Sequence, residues 1–298
     1  MGNATVYLLV SATALFWGAN FVLAGPVLAD MPPLWAAAVR FLLAAALMLA
    51  VAGARRENLF GLLKRHAAVY LMLGTIGIAA FNLLFFSALQ TTSANNGALI
   101  MAINPLLTTL LAAAFLGERA SARHMLALPV ALAGVAVVIS HGEMGRLASL
   151  TFSQGDLLML MATFSWAAYN VLTRRYMPQG SSIAHTSWIM AAGALVLLAF
   201  ALGSDSHIHA LGVKAGMAMA FMVGAGTVLA YLFWGLGIAQ LGAGRTAIFL
   251  NLVPVFAMLT GGVLGSVPSG AQMIGGLLVL AGVAISMVPR RLAAGAKA

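Results

Sequence analysis

Aromatic side chains that carry a polar atom lie near the middle of long apolar stretches of this sequence. Trp17, Trp166 and Tyr231 occupy such positions, and Trp234 follows Tyr231 by less than one helical turn. An indole N–H inside hydrocarbon needs an acceptor, which favours positions that line a protein interior or a wet cavity. The alternative for each ring is packing between helices, with the N–H bonded to a neighbouring carbonyl. For the group, we favour a cavity in which the rings stack on a solute.

Neutral amides form a second group inside the apolar stretches: Asn20, Asn82, Asn104, Asn170 and Asn251. An amide both donates and accepts hydrogen bonds, so it suits a zwitterionic or polar neutral solute. The alternative is hydrogen bonding between helices. We expect Asn82 to bind the polar end of a solute, and we include Asn20, Tyr169 and Asn170 among the candidate site residues.

Arg40 is the only basic residue well inside an apolar stretch. Such a residue should face protein or water and have a partner. The sequence leaves two roles open, binding a substrate carboxylate or bonding the carbonyls freed by a kinked neighbouring helix.

Two prolines, Pro105 and Pro254, lie mid-stretch at matching places in the two halves of the chain. A proline removes a backbone donor and frees a carbonyl one turn earlier, here at Met101 and Leu250, so both helices should kink. Proline is also common in membrane helices. The matched placement favours a pair of hinges beside a central cavity.

The sequence lacks the residues that proton relay, metal binding and catalysis would need. No Asp or Glu lies in the middle of an apolar stretch, so no membrane carboxylate relay is visible, and we expect exchange along the substrate gradient. Asp156, just after Gly155, reads as a helix N-cap. His207 and His209 lack a third ligand, and cysteine is absent, so no metal site and no cofactor are predicted. No catalytic set is present either, which argues against an enzyme.

The elements that must position these residues are membrane helices. Hydrophobic residues make up 62% of the 298-residue chain, charged residues 7%, and the mean hydropathy is +1.02, as in a polytopic membrane protein. Runs of about 20 apolar residues are long enough to span a bilayer. Ten such runs are predicted, at Thr5–Leu23, Pro33–Ala52, Ala67–Leu89, Asn95–Leu116, His124–Ser140, Gln154–Thr173, Ile183–Leu202, Val213–Gln240, Arg245–Gly265 and Gly270–Val288.

The net charge of +9 is an orientation signal rather than a sign of nucleic-acid binding. With ten spans, only Arg146 and Lys214 fall on one side. The other side holds Arg55, Arg56, Lys64, Arg65, Arg119, Arg123, Arg174, Arg175, Arg245, Arg290, Arg291 and Lys297. Because Lys and Arg concentrate in cytoplasmic loops, we expect both termini to be cytoplasmic.

The second half of the sequence repeats the first. Trp17, Asn82 and Pro105 are each followed 149 positions later by Trp166, Tyr231 and Pro254. We divide the chain into a five-helix repeat at 1–150 and a second at 151–298. Since five is odd, the second repeat should be inverted, a construction typical of secondary transporters, whose substrate site lies near the bilayer midplane. Glycine pairs four residues apart, Gly212 with Gly216 and Gly261 with Gly265, would support either internal packing or a homodimer.

Five short motifs follow one another along the chain: Ala14–Phe21 with its Trp17-Gly18, Val39-Arg40-Phe41, Asn104-Pro105, Leu116–Arg119, and Gly155–Leu158 followed by Trp166. In order and spacing they resemble the ten-span EamA-type exporters of the drug/metabolite transporter superfamily. The resemblance implies export of small metabolites, often amino acids, from the bacterial cytoplasm across the inner membrane. The branch exporting aromatic and other neutral amino acids is the most similar. One departure is that the second half has Ser266-Val267 where the first has Gly117-Glu118.

We therefore expect an exporter that works by alternating access, needs no cofactor and takes an amino acid or similar metabolite. The candidate substrate-binding residues are Trp17, Asn20, Arg40, Asn82, Trp166, Tyr169, Asn170, Tyr231 and Trp234, and the candidate hinges are Pro105 and Pro254. Export of other drug-like or metabolite solutes and a passive solute channel stay open, as do the coupling ion and the oligomeric state. A lone Arg40 argues against anionic nucleotide sugars or phosphates, which would need several cations.

Overall fold

The chain is described by a computed structural model that covers residues 2–92, 94–140, 142, 143, 145, 153–204, 211–265 and 267–287. Within these ranges the regular structure is entirely helical, which confirms the expected all-α class. The helices are α1 (Asn3–Asp30), α2 (Pro33–Ala54), α3 (Leu59–Gly74), α4 (Phe81–Ala88), α5 (Ala94–Ala102), α6 (Asn104–Leu116), α7 (Ala122–Ser140), α8 (Gln154–Tyr176), α9 (Ser182–Leu202), α10 (Val213–Val223), α11 (Ala230–Leu241), α12 (Ala243–Ala247), α13 (Leu252–Val263) and α14 (Gly270–Met287).

Eight helices or helix runs in the described residues are long and apolar enough to cross a bilayer, so the protein is a multi-pass membrane protein. Two of the ten expected spans are not among the eight. Ile100–Leu116 is apolar but short. Helix α8 has 23 residues, but its Asp156, Asn170 and two arginines make it less apolar.

Two π-helical segments interrupt long helices at equivalent places in the two halves. Thr75–Ala80 joins α3 to α4, and Gly224–Leu229 joins α10 to α11, 149 positions later. A π turn holds an extra residue and is frequent at functional sites. The first segment ends two residues before Asn82, and the second ends two residues before Tyr231. Each segment therefore determines the direction in which a candidate site residue points.

The fourth apolar stretch of each half is broken rather than smoothly kinked. In the first half, α5 ends at Ala102 and α6 begins at Asn104. In the second half, a 3₁₀ turn at Ile248–Asn251 precedes α13. Pro105 and Pro254 therefore lie in the first turn of a restarted helix, where the missing N–H removes no helix hydrogen bond.

Glycines let the last helix of each half, α7 and α14, approach closely. A Cβ on Gly134 would lie 2.6 Å from Val279 N, and one on Gly282 would lie 2.7 Å from Ala131 N. In this last helix the repeat offset is 148 rather than 149, and at that offset Gly134 corresponds to Gly282. Each half therefore presents the same small residue to the other. Among the described residues, nothing lies within 4 Å of a Cβ built on Gly216 or Gly265. These two glycines therefore make no such approach within the described part of the chain, and a homodimer stays a prediction.

Candidate functional site

A buried cluster of aromatic rings joins the two halves of the molecule. Trp17 of α1 lies 5.4 Å from Trp166 of α8 and 5.0 Å from Trp234 of α11, measured between ring centroids. Tyr231 lies 5.8 Å from Trp166, and Tyr169 lies 5.1 Å from Trp166. The five rings proposed from sequence as substrate-binding thus contact one another, and we call them, with two further phenylalanines described next, the aromatic cluster.

Sequence reasoning missed two rings of the aromatic cluster. Phe41 of α2 packs against Tyr231 at 5.8 Å, and Phe81 of α4 packs against Trp166 at 5.4 Å. Phenylalanine has no polar atom, so residue type did not distinguish these two from other apolar residues. The available signals were position, because each is adjacent in sequence to a polar candidate, Arg40 or Asn82, and for Phe41 its place in the Val39-Arg40-Phe41 motif.

Some of the predicted polar side chains bond to the protein itself. Trp17 Nε1 donates to the carbonyl of Gly226 in the second π segment at 3.1 Å, and Asn20 Nδ2 approaches the same carbonyl at 3.4 Å. Asn82 Nδ2 donates to Ile78 O, one turn back in its own helix, at 2.7 Å. The bonds of Trp17 and Asn20 hold α1 against the second π segment. The amide nitrogen of Asn82 is bonded to the first π segment, at Ile78.

A chain of side-chain hydrogen bonds leads away from the aromatic cluster between α11, α8 and α6. Trp234 Nε1 donates to Asn170 Oδ1 at 2.8 Å, and Asn170 Nδ2 lies 3.5 Å from Thr108 Oγ1. Thr108 donates to Asn104 Oδ1 at 3.1 Å. Asn104 Nδ2 in turn donates to Thr163 O of α8 at 2.7 Å. Asn104 and Asn170 therefore act as polar contacts between helices, the alternative considered for these amides.

Three polar atoms around the aromatic cluster are buried without a hydrogen-bond partner in the described part of the chain: Trp166 Nε1, Asn20 Oδ1 and Arg40 Nε. The guanidinium of Arg40 lies 4.7 Å from the centre of the Phe41 ring, beside Tyr231. Buried polar groups are nearly always paired. Two unpaired donors and one unpaired acceptor around apolar rings are therefore the features expected of a site for a small polar-ended ligand.

A second candidate feature is a cleft at the end of the molecule where α6 and α8 finish. We call this end, which holds Arg119, Arg174, Arg175 and Arg245, the arginine-rich end. A cleft of about 360 Å³ opens there, lined by residues of both halves. The carboxylate of Glu118 lies 3.3 Å from Ala243 N, 3.4 Å from Gly244 N and 3.6 Å from Arg174 Nε. Glu118, from the first half, thus fastens the start of α12 and the end of α8 in the second.

Arg174 adds a further link at the arginine-rich end. It also donates to the carbonyl of Ala239 at the end of α11, and Arg175 donates to Phe115 O at 2.9 Å. Gly242 precedes α12 with a φ of 93°, and a Cβ there would lie 2.9 Å from Glu118 Oε2. A side chain at position 242 would therefore be strained and would displace the carboxylate.

Asp156 takes part in capping α8, but the N-cap residue is Ser153 and Asp156 is the third residue of the helix, so the predicted N-cap position was wrong by three residues. Its carboxylate accepts from Ser153 N, and the Ser153 hydroxyl accepts from Asp156 N, which together form a capping box at the start of α8. Thr92, at the end of the first half's third helix run, also donates to this carboxylate. No group of three or more potential metal ligands occurs among the described residues, and His207 and His209 lie outside them.

The apolar helices and a buried candidate site shared between two similar halves are typical of a membrane transporter. The chain belongs to the EamA-like transporter family, whose model matches it twice, over residues 4–140 and 153–288.

Relatives of known sequence agree with this class. An uncharacterized transporter of Bacillus subtilis, YyaM, is 37% identical over 95% of this chain and 93% of its own length. The "probable amino-acid metabolite efflux pump" of Escherichia coli K12 is 26% identical over 91% of each chain. The "probable terminal-alkyne amino-acid exporter" of Streptantibioticus cattleyicolor is 28% identical over 74% of this chain and 72% of its own. A solved crystal structure superposes with a TM-score of 0.79 at 22% identity, over 95% of this chain and 96% of that one, which shows the fold alone.

Proposed function

We propose that this protein exports small amino-acid-like solutes, with aromatic or other neutral amino acids as the favoured class, by alternating access across the bacterial inner membrane. The observation that carries the proposal is the aromatic cluster. Its rings come from both halves and are bordered by unpaired donors and an unpaired acceptor. Rings bind an apolar or aromatic side chain, while the polar atoms suit the carboxylate and ammonium of an amino acid.

The site also suggests how transport occurs. Trp17 and Phe41 belong to the first half, and Trp166, Tyr231 and Trp234 belong to the second. If one half rocks against the other, the rings separate and re-form around a solute. In this cycle the contacts of Glu118 with Ala243, Gly244 and Arg174 join the two halves at the arginine-rich end when the solute has access from the opposite end. The similarity to the Escherichia coli relative, described as a probable amino-acid metabolite efflux pump, supports the same substrate class.

The proposal includes ten spans in two inverted repeats, with both termini and the arginine-rich end in the cytoplasm. Reporter fusions test this arrangement. A fusion after Gly145, in the connection between the halves, should report the outer side, and a fusion after Ala298 should report the cytoplasm. Reporters on the same side would contradict the inverted repeat without bearing on the substrate.

Counterflow in proteoliposomes tests the function. Vesicles loaded with one unlabelled amino acid are mixed with a trace of the labelled form, for a panel of aromatic, aliphatic, acidic and basic amino acids. We expect exchange of aromatic and neutral members and little dependence on an imposed pH step. Equilibration without counterflow would indicate a channel, and accumulation driven by the pH step and abolished by a protonophore would reveal a missed proton relay.

A matched pair of tryptophan variants locates the site. Trp166→Ala should reduce exchange at least tenfold, because the aromatic cluster loses its central ring, while folded protein persists in the membrane. Trp188→Ala is the control, because Trp188 is outside the cluster and its Nε1 donates to Leu59 O. Equal exchange by both variants would refute the site.

A further inference from the structure

The two equivalent tryptophans of the aromatic cluster differ in how their N–H groups are used. Trp17 and Trp166 are 149 positions apart and lie 5.4 Å from each other between ring centroids. Trp17 Nε1 donates to Gly226 O at 3.1 Å. Trp166 Nε1 is buried and has no hydrogen-bond partner in the described part of the chain. One indole is therefore fixed to the backbone and the other is not.

The difference follows from one position that diverged between the halves. The counterpart of Gly226 is Gly77 in the first π segment, so the counterpart bond would run from Trp166 to Gly77 O. Asn20 lies against Gly226, whereas its counterpart Tyr169 lies with its ring against Gly77. The Tyr169 ring also packs on Trp166, at 5.1 Å between centroids. A small amide leaves room for the indole to reach the carbonyl, and a large ring takes that room.

A donor kept unpaired in this way carries a cost that a bound ligand removes. Leaving a buried N–H without an acceptor costs roughly 1–3 kcal/mol, and such groups are rare in native structures. Tyr169 also provides nothing in exchange for the lost bond except ring packing. The arrangement therefore favours a molecule that brings its own acceptor to Trp166.

The positive charge of Arg40 near Trp166 indicates what kind of acceptor group a ligand would bring. Arg40 Nε is also buried without a partner in the described residues. The contacts run from Arg40 over Phe41 to Tyr231 and on to Trp166. Both unpaired groups are donors, one of them cationic, and none of the described acidic residues pairs with Arg40. Two donors and one positive charge match a carboxylate, which accepts several hydrogen bonds.

We propose that the indole N–H of Trp166, together with Arg40, binds the carboxylate of the transported solute, and that Trp166 is a specificity-determining residue while the Trp17 N–H is structural. This proposal rests on the proposed function and narrows it to solutes that carry a carboxylate. Asn20 Oδ1, the unpaired acceptor, lies on the Trp17 side and suits the ammonium group.

Two variants that keep an aromatic ring separate the roles of the indoles. Trp166→Phe and Trp17→Phe each remove one N–H and retain most of the stacking surface. For the best-exchanged amino acid of the panel, Trp166→Phe should raise the half-saturating concentration roughly ten- to a hundredfold, as expected for a lost bond to a charged acceptor. Competition by the corresponding amine, from which the carboxylate has been removed, should change less than threefold.

Thermal unfolding in detergent without substrate is the second readout. Both variants lose the same part of an indole ring, but only Trp17→Phe also loses a protein hydrogen bond, the one to Gly226 O. Trp17→Phe should therefore unfold at a lower temperature than Trp166→Phe and keep the wild-type preference for acid over amine. An unchanged half-saturating concentration in Trp166→Phe would overturn the proposal and leave the transport function intact. An equal loss of preference in both variants would also overturn it. A wild-type protein that exchanges no amino acid would count against both proposals.

Discussion

The two π segments have the same backbone irregularity at equivalent places but are used differently. In the second half, the carbonyl of Gly226 accepts from Trp17 at 3.1 Å, so the segment anchors α1. In the first half, Gly77 is covered by the Tyr169 ring, and the neighbouring carbonyl of Ile76 accepts from Ser165 at 2.7 Å. Both halves keep the π segment, but single side chains beside it differ. The second segment accepts a bond from Trp17, whereas Trp166, beside the first segment, has an N–H without a partner in the described residues.

The largest expected difference between the halves is in stability. A Cβ on Gly77 would overlap the buried Tyr169 ring, whereas one on Gly226 would overlap the end of the Asn20 side chain. Because a ring moves less easily than an amide, Gly77→Ala should destabilise by about 2–3 kcal/mol and Gly226→Ala by about 1 kcal/mol, within the usual range for overpacking. Thermal unfolding in detergent measures both.

Two controls accompany these glycine variants. Gly216→Ala, at a position where no described residue lies within 4 Å of an added Cβ, should unfold at or slightly above the wild-type temperature. Tyr169→Leu should reduce the effect of Gly77→Ala when the two are combined. Equal losses for Gly77→Ala and Gly226→Ala would show that the segments are packed alike.

A smaller effect is expected at the arginine-rich end. Glu118 links the halves there, whereas its counterpart Val267 is 93% exposed and provides no carboxylate. Glu118→Gln removes the negative charge. Because the ion pair with Arg174 is partly exposed, the free energy of unfolding should fall by up to about 1 kcal/mol. Since the chain has no cysteine, a single Leu241→Cys placed in the cleft reports opening by its rate of maleimide labelling.

The labelling rate at Leu241→Cys should rise a few-fold in the Glu118→Gln background. Val267→Gln is the matched control at the equivalent position of the second half, and it should leave the rate unchanged. Identical rates in all three proteins would mean that Glu118 does not hold this end closed.

The smallest stability effect is expected at the two prolines. Pro105→Ala and Pro254→Ala should each change the free energy of unfolding by less than about 1 kcal/mol, because both prolines lie in the first turn of a helix. If the breaks before them act as hinges, exchange should slow while the half-saturating concentration stays constant. Wild-type exchange rates in both variants would remove the hinge from the mechanism.

The sequence predicted the helices better than their interruptions. The second span was expected at Pro33–Ala52 and is Pro33–Ala54. The π segments were not foreseen, because a stretch that is apolar on every face loses the periodicity from which a change of helical register could be read. The restart after Ile103 was approximated as a kink at Pro105, since proline predicts where a helix is disturbed but not how.

Residue type was enough to predict which side chains belong to the candidate site, but the sequence did not predict which of them contact one another. Polar atoms in hydrocarbon identified Trp17, Trp166 and Tyr231, and the structure brings these rings together. Which polar atoms would find partners depends on contacts between distant residues, such as Trp234 with Asn170 and Glu118 with Ala243. Spacing along one chain contains no information about those pairs.

The crowding of tryptophans in the aromatic cluster also gives the protein an optical signature. Three of its five tryptophans, Trp17, Trp166 and Trp234, lie within 6.4 Å of one another between centroids. Three of the five indoles that absorb in the near ultraviolet therefore surround the candidate site. A change in the wavelength or intensity of intrinsic emission on adding a solute would report a rearrangement of these rings without any attached dye.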